Sequence, residues 1–445
     1  MEIANLYGRL VTQNQIDSSL IIQLNLAGER AVLEKGRYAI CQRCHYQNLK
    51  YQVKLPHHQG YYCQNCIQLG RLTSKDFLYA VPEPNKFKVP EKILTWQGKL
   101  SQFQKRCAQE LCTKVSQKQN HLIWAVTGAG KTEMLFPMLA ENLAKKKRIA
   151  LATPRIDVCN ELYPRLQAAF ENISIALLHG QSSMKYFYAQ LTICTTHQLL
   201  KFKDAFDILI VDEIDSFPFA GNRSLNFATK RACKTSGVMI CLTATPDQST
   251  QKSIRQHELT VGYLPLRFHQ HPLPEIKFRI ERHLSELLEK QQIFPFIKKT
   301  VQKWVKQQTP FLIFVPRLSL LKPVFEIVKQ IVDNKKVQGE TVYAADEHRI
   351  AKVQALRDGK LRYLVTTTIL ERGVTFKNLD LMVIKAEDRN FSCSSLVQIA
   401  GRVGRNAQRP TGDVYFVMQH YTKNVKQAAQ QIRHLNQKAQ HLLDE

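Results

Sequence analysis

His121-Leu122-Ile123-Trp124-Ala125-Val126-Thr127-Gly128-Ala129-Gly130-Lys131-Thr132 is the stretch on which the fold of this chain turns. Residues 121–126 are a short, mostly apolar run of the kind that forms a strand buried on both faces. A glycine-rich turn follows without a gap, and a helical run begins at Glu133. A phosphate-binding loop needs that context of strand, turn and helix. Gly128 and Gly130 permit the turn, so that the backbone N–H groups of Thr127, Ala129 and their neighbours can approach phosphate oxygens. The helix N-terminus adds its dipole, Lys131 reaches the β and γ oxygens, and the Thr132 hydroxyl can ligate Mg2+. The strict pattern opens on Gly where this chain has Ala125.

Working outward, a second apolar strand, Phe206-Asp207-Ile208-Leu209-Ile210-Val211, ends in Asp212-Glu213-Ile214-Asp215, 81 residues beyond Lys131 (131 to 212). A carboxylate pair at a buried strand's exit suits nucleotide hydrolysis: Asp212 would hold Mg2+ and Glu213 would orient and deprotonate the attacking water. Upstream, Leu100-Ser101-Gln102-Phe103-Gln104 resembles a glutamine motif in which Gln104 reads adenine. Thr153-Pro154-Arg155, Thr195-Thr196-His197-Gln198 and Thr243-Ala244-Thr245-Pro246 each follow an apolar strand. A second block opens with Phe311-Leu312-Ile313-Phe314-Val315-Pro316. It continues through Thr366-Thr367-Thr368-Ile369-Leu370-Glu371-Arg372-Gly373-Val374-Thr375 and closes with Gln398-Ile399-Ala400-Gly401-Arg402-Val403-Gly404-Arg405. Gln398, Arg402 and Arg405, spaced by 4 and 3, are expected on one helix face.

This series resembles a superfamily 2 helicase motor across nearly all of residues 95–420. The resemblance implies an α/β fold of two tandem RecA-like domains, each a parallel sheet flanked by helices, with ATP bound between them. It implies that Arg402 and Arg405 meet the γ-phosphate, with Gln398 and Gly373 at the nucleotide. A positive charge there stabilises the phosphoryl transition state. Strand-gripping candidates are Thr153, Arg155, Thr195, Thr196 and His197 in the first domain and Thr366, Thr367 and Arg372 in the second. Hydroxyls and backbone N–H groups suit contacts that ignore base identity, although a strand-end hydroxyl is an equally good reading of any single Thr.

Eleven cysteines include two tight pairs, Cys41-x-x-Cys44 and Cys63-x-x-Cys66, eighteen residues apart. A redox dithiol or a disulfide formed on oxidation would explain one such pair. Two at this spacing favour a closed, structural four-sulfur zinc site. His45, His57 and His58 lie nearby as substitute ligands or, more simply, as loop histidines. The polar and aromatic residues around the knuckles suit contact with phosphates and bases, and equally suit a small exposed module.

The four-cysteine module ahead of the motor, Trp96-Gln97-Gly98-Lys99-Leu100-Ser101, and DEID followed by Ser216-Phe217-Pro218-Phe219 resemble the ComFA family of late-competence DNA translocases from transformable Gram-positive bacteria. Primosomal replication-restart helicases, next in motor sequence, carry their cysteines between motor blocks. The resemblance implies ATP-driven movement on single-stranded DNA during DNA uptake, in the cytoplasm or peripherally at the inner face of the membrane. It implies as partners a membrane channel and the phosphoribosyltransferase-like ComFC protein. A replication-restart type, another DNA or RNA helicase, and a zinc-dependent binding protein with a vestigial motor are the other function classes.

With 63 Lys+Arg against 37 Asp+Glu, the 445-residue chain carries a formal net charge of +26. Nucleic acid is the first reading of that excess, an anionic membrane surface the second and solubility the third. No apolar run is long enough to span a bilayer, and the first residues lack a secretory signal. The expected organisation is an N-terminal element at 1–36, with apolar residues alternating in 19–26, and the zinc module at 37–80. A proline-marked linker at 81–94 leads to the first motor domain at 95–261, a hinge at 262–285 and the second motor domain at 286–420. A C-terminal helix occupies 421–445. Its apolar stripe, Val425, Ala428, Ile432, Leu435, Ala439 and Leu442, would pack on its own domain or, in a homo-oligomer, on another subunit. Lys145-Lys146-Lys147-Arg148 reads as a nucleic-acid contact or as a solvated helix C-terminus.

Overall fold

The computed structural model describes residues 3–56, 59–332, 337–371, 376 and 378–444. His57, His58, Arg372 and Gly373 lie outside the described residues. The chain divides into two compact units, residues 1–123 with 132–262, and residues 124–131 with 263–445.

In the N-terminal part, strands β1 (Leu10–Thr12), β2 (Glu29–Arg30) and β6 (Phe77–Ala80) form one small sheet in the order β1-β6-β2. β3 (Val32–Lys35), β4 (Tyr38–Cys41) and β5 (Gln47–Leu49) form another. Both sheets are antiparallel. The alternation at 19–26 resolves into a short helix, Ser18–Gln23, capped by the Asp17 carboxylate. Its partly buried Leu20 and Ile21 pack against Leu6, Val11, Ile16 and Val81.

A seven-stranded sheet follows, in the order β13-β7-β12-β11-β8-β10-β9. Its strands are β7 (His121–Ala125), β8 (Ile149–Thr153), β9 (Ile175–Leu178), β10 (Leu191–Thr195), β11 (Phe206–Val211), β12 (Cys233–Thr243) and β13 (Thr260–Leu264). Every residue of β7, β8 and β10 is buried, as expected where helices cover both faces of a sheet. The pairs linking β9, β10, β8, β11 and β12 are parallel. The carboxyl ends of β8, β10, β11 and β12 therefore bring Thr153, Thr195, Asp212 and Thr243 to one edge, where open α/β sheets bind ligands.

The four-cysteine module is continuous with this unit's interior. Cys41, Cys44, Cys63, Cys66, Val53 and Leu72 belong to one buried cluster with Leu199, Phe202, Phe206, Leu225 and Ala228. Residues 81–94 lie along the same unit. Glu83 forms a fully enclosed ion pair with Arg148 (Nη1–Oε2 2.5 Å), Tyr188 Oη donates to the same carboxylate, and Phe87 stacks on Tyr188 at 4.6 Å. Of the basic run 145–148, Arg148 is thus an interior residue, while Lys145 pairs with Glu141 one helical turn away. Glu83→Ala would leave a buried guanidinium without its counter-charge, and a loss of about 3–5 kcal/mol is expected. Urea unfolding of the first unit would read it.

The second sheet has the order β14-β19-β18-β15-β17-β16, with all five pairs parallel. Its strands are β14 (Lys277–Ile280), β15 (Phe311–Phe314), β16 (Gly339–Val342), β17 (Tyr363–Thr366), β18 (Asp380–Ile384) and β19 (Val414–Met418). At its base Asp413 accepts from Lys303 (2.6 Å), Lys277 (2.9 Å) and the fully buried Trp304 indole (3.1 Å). Burial alone would raise this carboxyl, but those hydrogen bonds hold it at about 2. A depressed folded-state pKa adds stability above the unfolded value near 4 and loses it as pH falls towards 2. The second unit should therefore lose about 1–2 kcal/mol across that window. Asp413→Asn should flatten that part of the pH profile in a fluorescence-monitored acid titration.

The C-terminal helix, Lys423–Asp444, buries Val425, Ala428, Ile432, Leu435 and Ala439 and packs on the helix Cys393–Ala400 of its own unit. No helix among the described residues is long and apolar enough to cross a membrane.

Candidate motor site and metal centre

β4 ends at Cys41, and the chain then turns through His45 in the left-handed region (φ 56°), whose N–H returns to Cys41 O (2.8 Å). The second knuckle begins at Cys63 and runs through the 3-10 segment Gln64–Leu69. All four sulfurs lie within 4.8 Å of one another, with Cys41–Cys66 at 3.8 Å and Cys44–Cys63 at 3.5 Å. Those separations are far too long for S–S bonds. They match the edge of about 3.8 Å of a tetrahedron with Zn–S distances of about 2.3 Å. Hydrogen bonds among the neighbouring thiols hold Cys44 low and drive Cys41 far above the ordinary thiol range. Arg43 donates to Cys66 Sγ (3.3 Å) and to the Cys66 carbonyl (3.2 Å), setting a positive charge against a dianionic four-sulfur shell. A zinc ion fits this donor set. His45 instead stacks on Phe227 at 4.8 Å.

Arg231, in the helix Arg223–Ala232, fixes the first knuckle to the motor. Its guanidinium donates to the carbonyls of Gln42 (2.9 Å) and Arg43 (2.6 Å) on one side and of Leu200 (2.7 Å) and Phe202 (3.2 Å) on the other. Sequence reasoning missed this residue, because a lone arginine near a helix end carries no signal.

Within the second unit, Gly128 (φ 80°) and Gly130 (φ 71°) both take the left-handed backbone that the phosphate loop requires. Phe268 N donates to Gly128 O (3.1 Å), and Thr127 Oγ1 donates to Gly401 O (3.1 Å). A side chain at Gly401 would collide with that hydroxyl at 2.1 Å. Gln398 is buried in the helix Cys393–Ala400, but the helix stops there. Residues 401–404 form turns, and Gly404 is left-handed at φ 71°. Arg402 and Arg405 are therefore held by this turn rather than by a continuous helix face. Arg402 Nε donates to Glu371 O (3.2 Å) and Arg405 Nε to Gly401 O (3.1 Å). A third arginine lies beside them: Arg267, 2 % exposed, donates to the carbonyls of Gly404 and Gly401 (3.3 Å for the latter). Burial and then the Arg405 charge pull Arg267 down to about 9. Sequence reasoning had placed Arg267 in a proline-rich hinge, where nothing marked it.

In the first unit, Asp212 N donates to Ala152 O (2.8 Å), which seats the acidic turn against β8. Glu213 is left-handed (φ 52°), and its N–H donates to Asp212 Oδ1 (2.8 Å). Asp215, not singled out in the sequence, accepts from Thr243 Oγ1 (2.7 Å) and Thr245 Oγ1 (2.5 Å), tying the DEID turn to the Thr-Ala-Thr segment. Lys131 starts the helix Lys131–Met134, and Thr132 is buried in it. Gln104 closes a capping box with Ser101 (Ser101 N to Oε1 2.9 Å). Its spacing from Ser101, the S-x-x-Q pattern, was the readable signal for that structural task.

The strand-contact candidates divide. Thr153, Thr196 and Thr366 are fully buried, and Thr366 Oγ1 donates to Val342 O (2.9 Å). Arg155 forms a two-pronged pair with Asp157 (2.7 and 3.0 Å). His197 is exposed, and Thr367 is half-buried.

Family models match three segments: the competence protein ComFA N-terminal domain at residues 8–80, the DEAD/DEAH box helicase at 101–254 and the helicase conserved C-terminal domain at 292–407. A competence protein ComFA of Streptococcus pneumoniae is 40 % identical over 97 % of this chain and 98 % of its own length. The chain belongs to the ComFA family. The Bacillus subtilis ComFA is 39 % identical over 92 % of this chain and 87 % of its own. In fold, Saccharomyces cerevisiae Dbp5 bound to RNA and ADP BeF3 aligns with a TM-score of 0.55 at 15 % identity, covering 76 % of this chain and 88 % of that one. The expected pair of RecA-like domains behind a four-cysteine cluster is thus found. The helicase domains of this ComFA-family chain imply ATP, Mg2+ and a nucleic-acid-dependent ATPase.

Proposed function

We propose that this chain is an ATP-driven translocase on single-stranded DNA that serves DNA import during competence, working with a membrane channel and a ComFC-type partner at the cytosolic face of the membrane. The observation that carries the reading is near-full-length similarity to competence proteins in a chain that keeps every charged group a motor needs: Lys131, Asp212, Glu213, Arg402 and Arg405.

The roles follow from the chemistry. Lys131 and the loop N–H groups between Thr127 and Thr132 hold the phosphates. Thr132 and Asp212 would hold Mg2+, which supplies charge neutralisation across the phosphates when bound. Glu213 orients water and takes its proton, Arg402 and Arg405 stabilise charge on the transferred phosphoryl group, and Gln104 and Gln398 border the nucleotide. His197 and Thr367 offer side chains to a strand, whereas Thr195 is 6 % exposed and offers chiefly its backbone. Thr153 and Thr196 can contribute only backbone groups while their hydroxyls stay buried.

The test is ATP hydrolysis measured with thymidine oligomers, duplex DNA and RNA of equal length, at several salt concentrations because phosphate contacts are salt-dependent. Single-stranded DNA is expected to stimulate most. Equal stimulation by RNA would refute the DNA reading. Stimulated hydrolysis that survives in Lys131→Ala would refute the motor.

A further inference from the structure

A cavity of about 1080 Å3 lies at the carboxyl ends of β8, β9 and β10 in the first unit. These three strands are consecutive in the sheet. At about 4.8 Å per strand they span about 10 Å, the length of about three stacked nucleotides at 3.4 Å each. The volume exceeds the upper end of ordinary small-molecule sites, about 1,000 Å3.

Its lining includes the second knuckle, through Asn65 and Gln68, and the segment after β10, through His197 and Lys201, together with His179 and Ser182. The two knuckles therefore differ in what they face. The first is spent on docking, its carbonyls held by Arg231 and its His45 stacked on Phe227. The second leaves Asn65 and Gln68 exposed along the groove.

The lining suits a phosphate chain. Lys201 lines the cavity and, among the described residues, forms no ion pair, and burial, then the charges of Arg9 and Arg43, pull it below its ordinary range. A desolvated cation beside two others is stabilised by an anion. The amides of Asn65 and Gln68 can donate to phosphate or to any base edge, and the flat ring of His197 can carry a base, a recognition independent of sequence.

The geometry points to the second cysteine knuckle, Gln64–Leu69, as the outer wall of a groove that holds about three stacked nucleotides of a DNA strand against Thr195–Lys201. On this view the metal module shapes the grip on the strand directly. The inference rests on single-stranded DNA being the client, as proposed above.

The experiment uses the full chain with its zinc and a thymidine oligomer carrying photoreactive 4-thiothymidine. Cross-linked peptides are expected from both 64–69 and 179–201. Asn65→Ala/Gln68→Ala, with its zinc content retained by mass spectrometry, is expected to weaken binding of the oligomer about tenfold. Lys201→Gln should lower the salt slope of log K by about 0.7, the value of one single-strand phosphate contact. If the wild type binds and the double variant binds equally, with no cross-links in 64–69, the groove is refuted and the motor reading stands. If the wild type has no affinity for the oligomer, the reading under "Proposed function" fails first.

Discussion

Arg405→Ala is expected to lower the nucleic-acid-stimulated kcat for ATP by about 10^3-fold or more, with a far smaller change in the KM for ATP. An arginine that meets charge developing on the transferred phosphoryl group is worth about 10^3–10^5 in rate, or about 4 kcal/mol of barrier at the low end. Arg405 is the cleaner probe of the pair. Its Nε rests on the Gly401 carbonyl of its own turn, and truncation empties little packed volume. Arg402 is 2 % exposed and bonded to Glu371 O, so Arg402→Ala would mix lost catalysis with lost packing. Arg405→Lys should recover only a minor part, since an ammonium cannot present the planar fork of a guanidinium. Steady-state hydrolysis over a range of ATP concentrations, with saturating nucleic acid, measures the effect. A kcat within threefold of wild type would show that Arg405 does not touch the transition state.

Removing the metal centre should have the second large effect. Cys41→Ser/Cys66→Ser is expected to abolish zinc binding and lower the first unit's thermal midpoint by more than about 10 °C. Structural zinc supplies about 10–16 kcal/mol in isolated fingers, comparable to the whole stability of a domain. At about 2–4 °C per kcal/mol for a unit of this size, even a fraction of that is visible. The loss should not stay local, because the cysteines share their buried cluster with Phe202 and Phe206 of the motor sheet. Calorimetry with zinc counted by native mass spectrometry decides the matter. Zinc retained at one per chain would sink the four-sulfur site, whereas zinc lost with the midpoint unmoved would show the module to be energetically separate.

What the sequence reveals follows the range of the interactions. The strands at 121–125 and 206–211 are legible because burial on both faces writes a continuous apolar run, and the glycines at 128 and 130 because their left-handed backbone excludes most other residues. The cysteine pairs are legible because the ligand spacing is itself local. Contacts between distant residues leave no such mark. The pairing of Arg148 with Glu83, 65 positions away, turns the end of a basic run into an interior ion pair. The bracing of the Arg402–Arg405 turn by Arg267 lies 134 to 137 positions distant. The spacing of Gln398, Arg402 and Arg405 suggests one helix, but Gly404 at φ 71° ends that regularity. A period of 3.6 cannot register where the backbone leaves the helical region. For the threonines at strand ends, sequence cannot distinguish a hydroxyl facing a ligand from one facing the interior.

The Arg231 clamp also orders events during synthesis. Cys66 precedes Arg231 by 165 residues (66 to 231), so at about 5–20 residues per second the ribosome delivers the clamp about 10–30 s after the last thiol. During that interval the nascent module has only its own two small antiparallel sheets to hold the four sulfurs together. Docking of the first knuckle on the newborn motor domain therefore comes after the module's own sheets are complete.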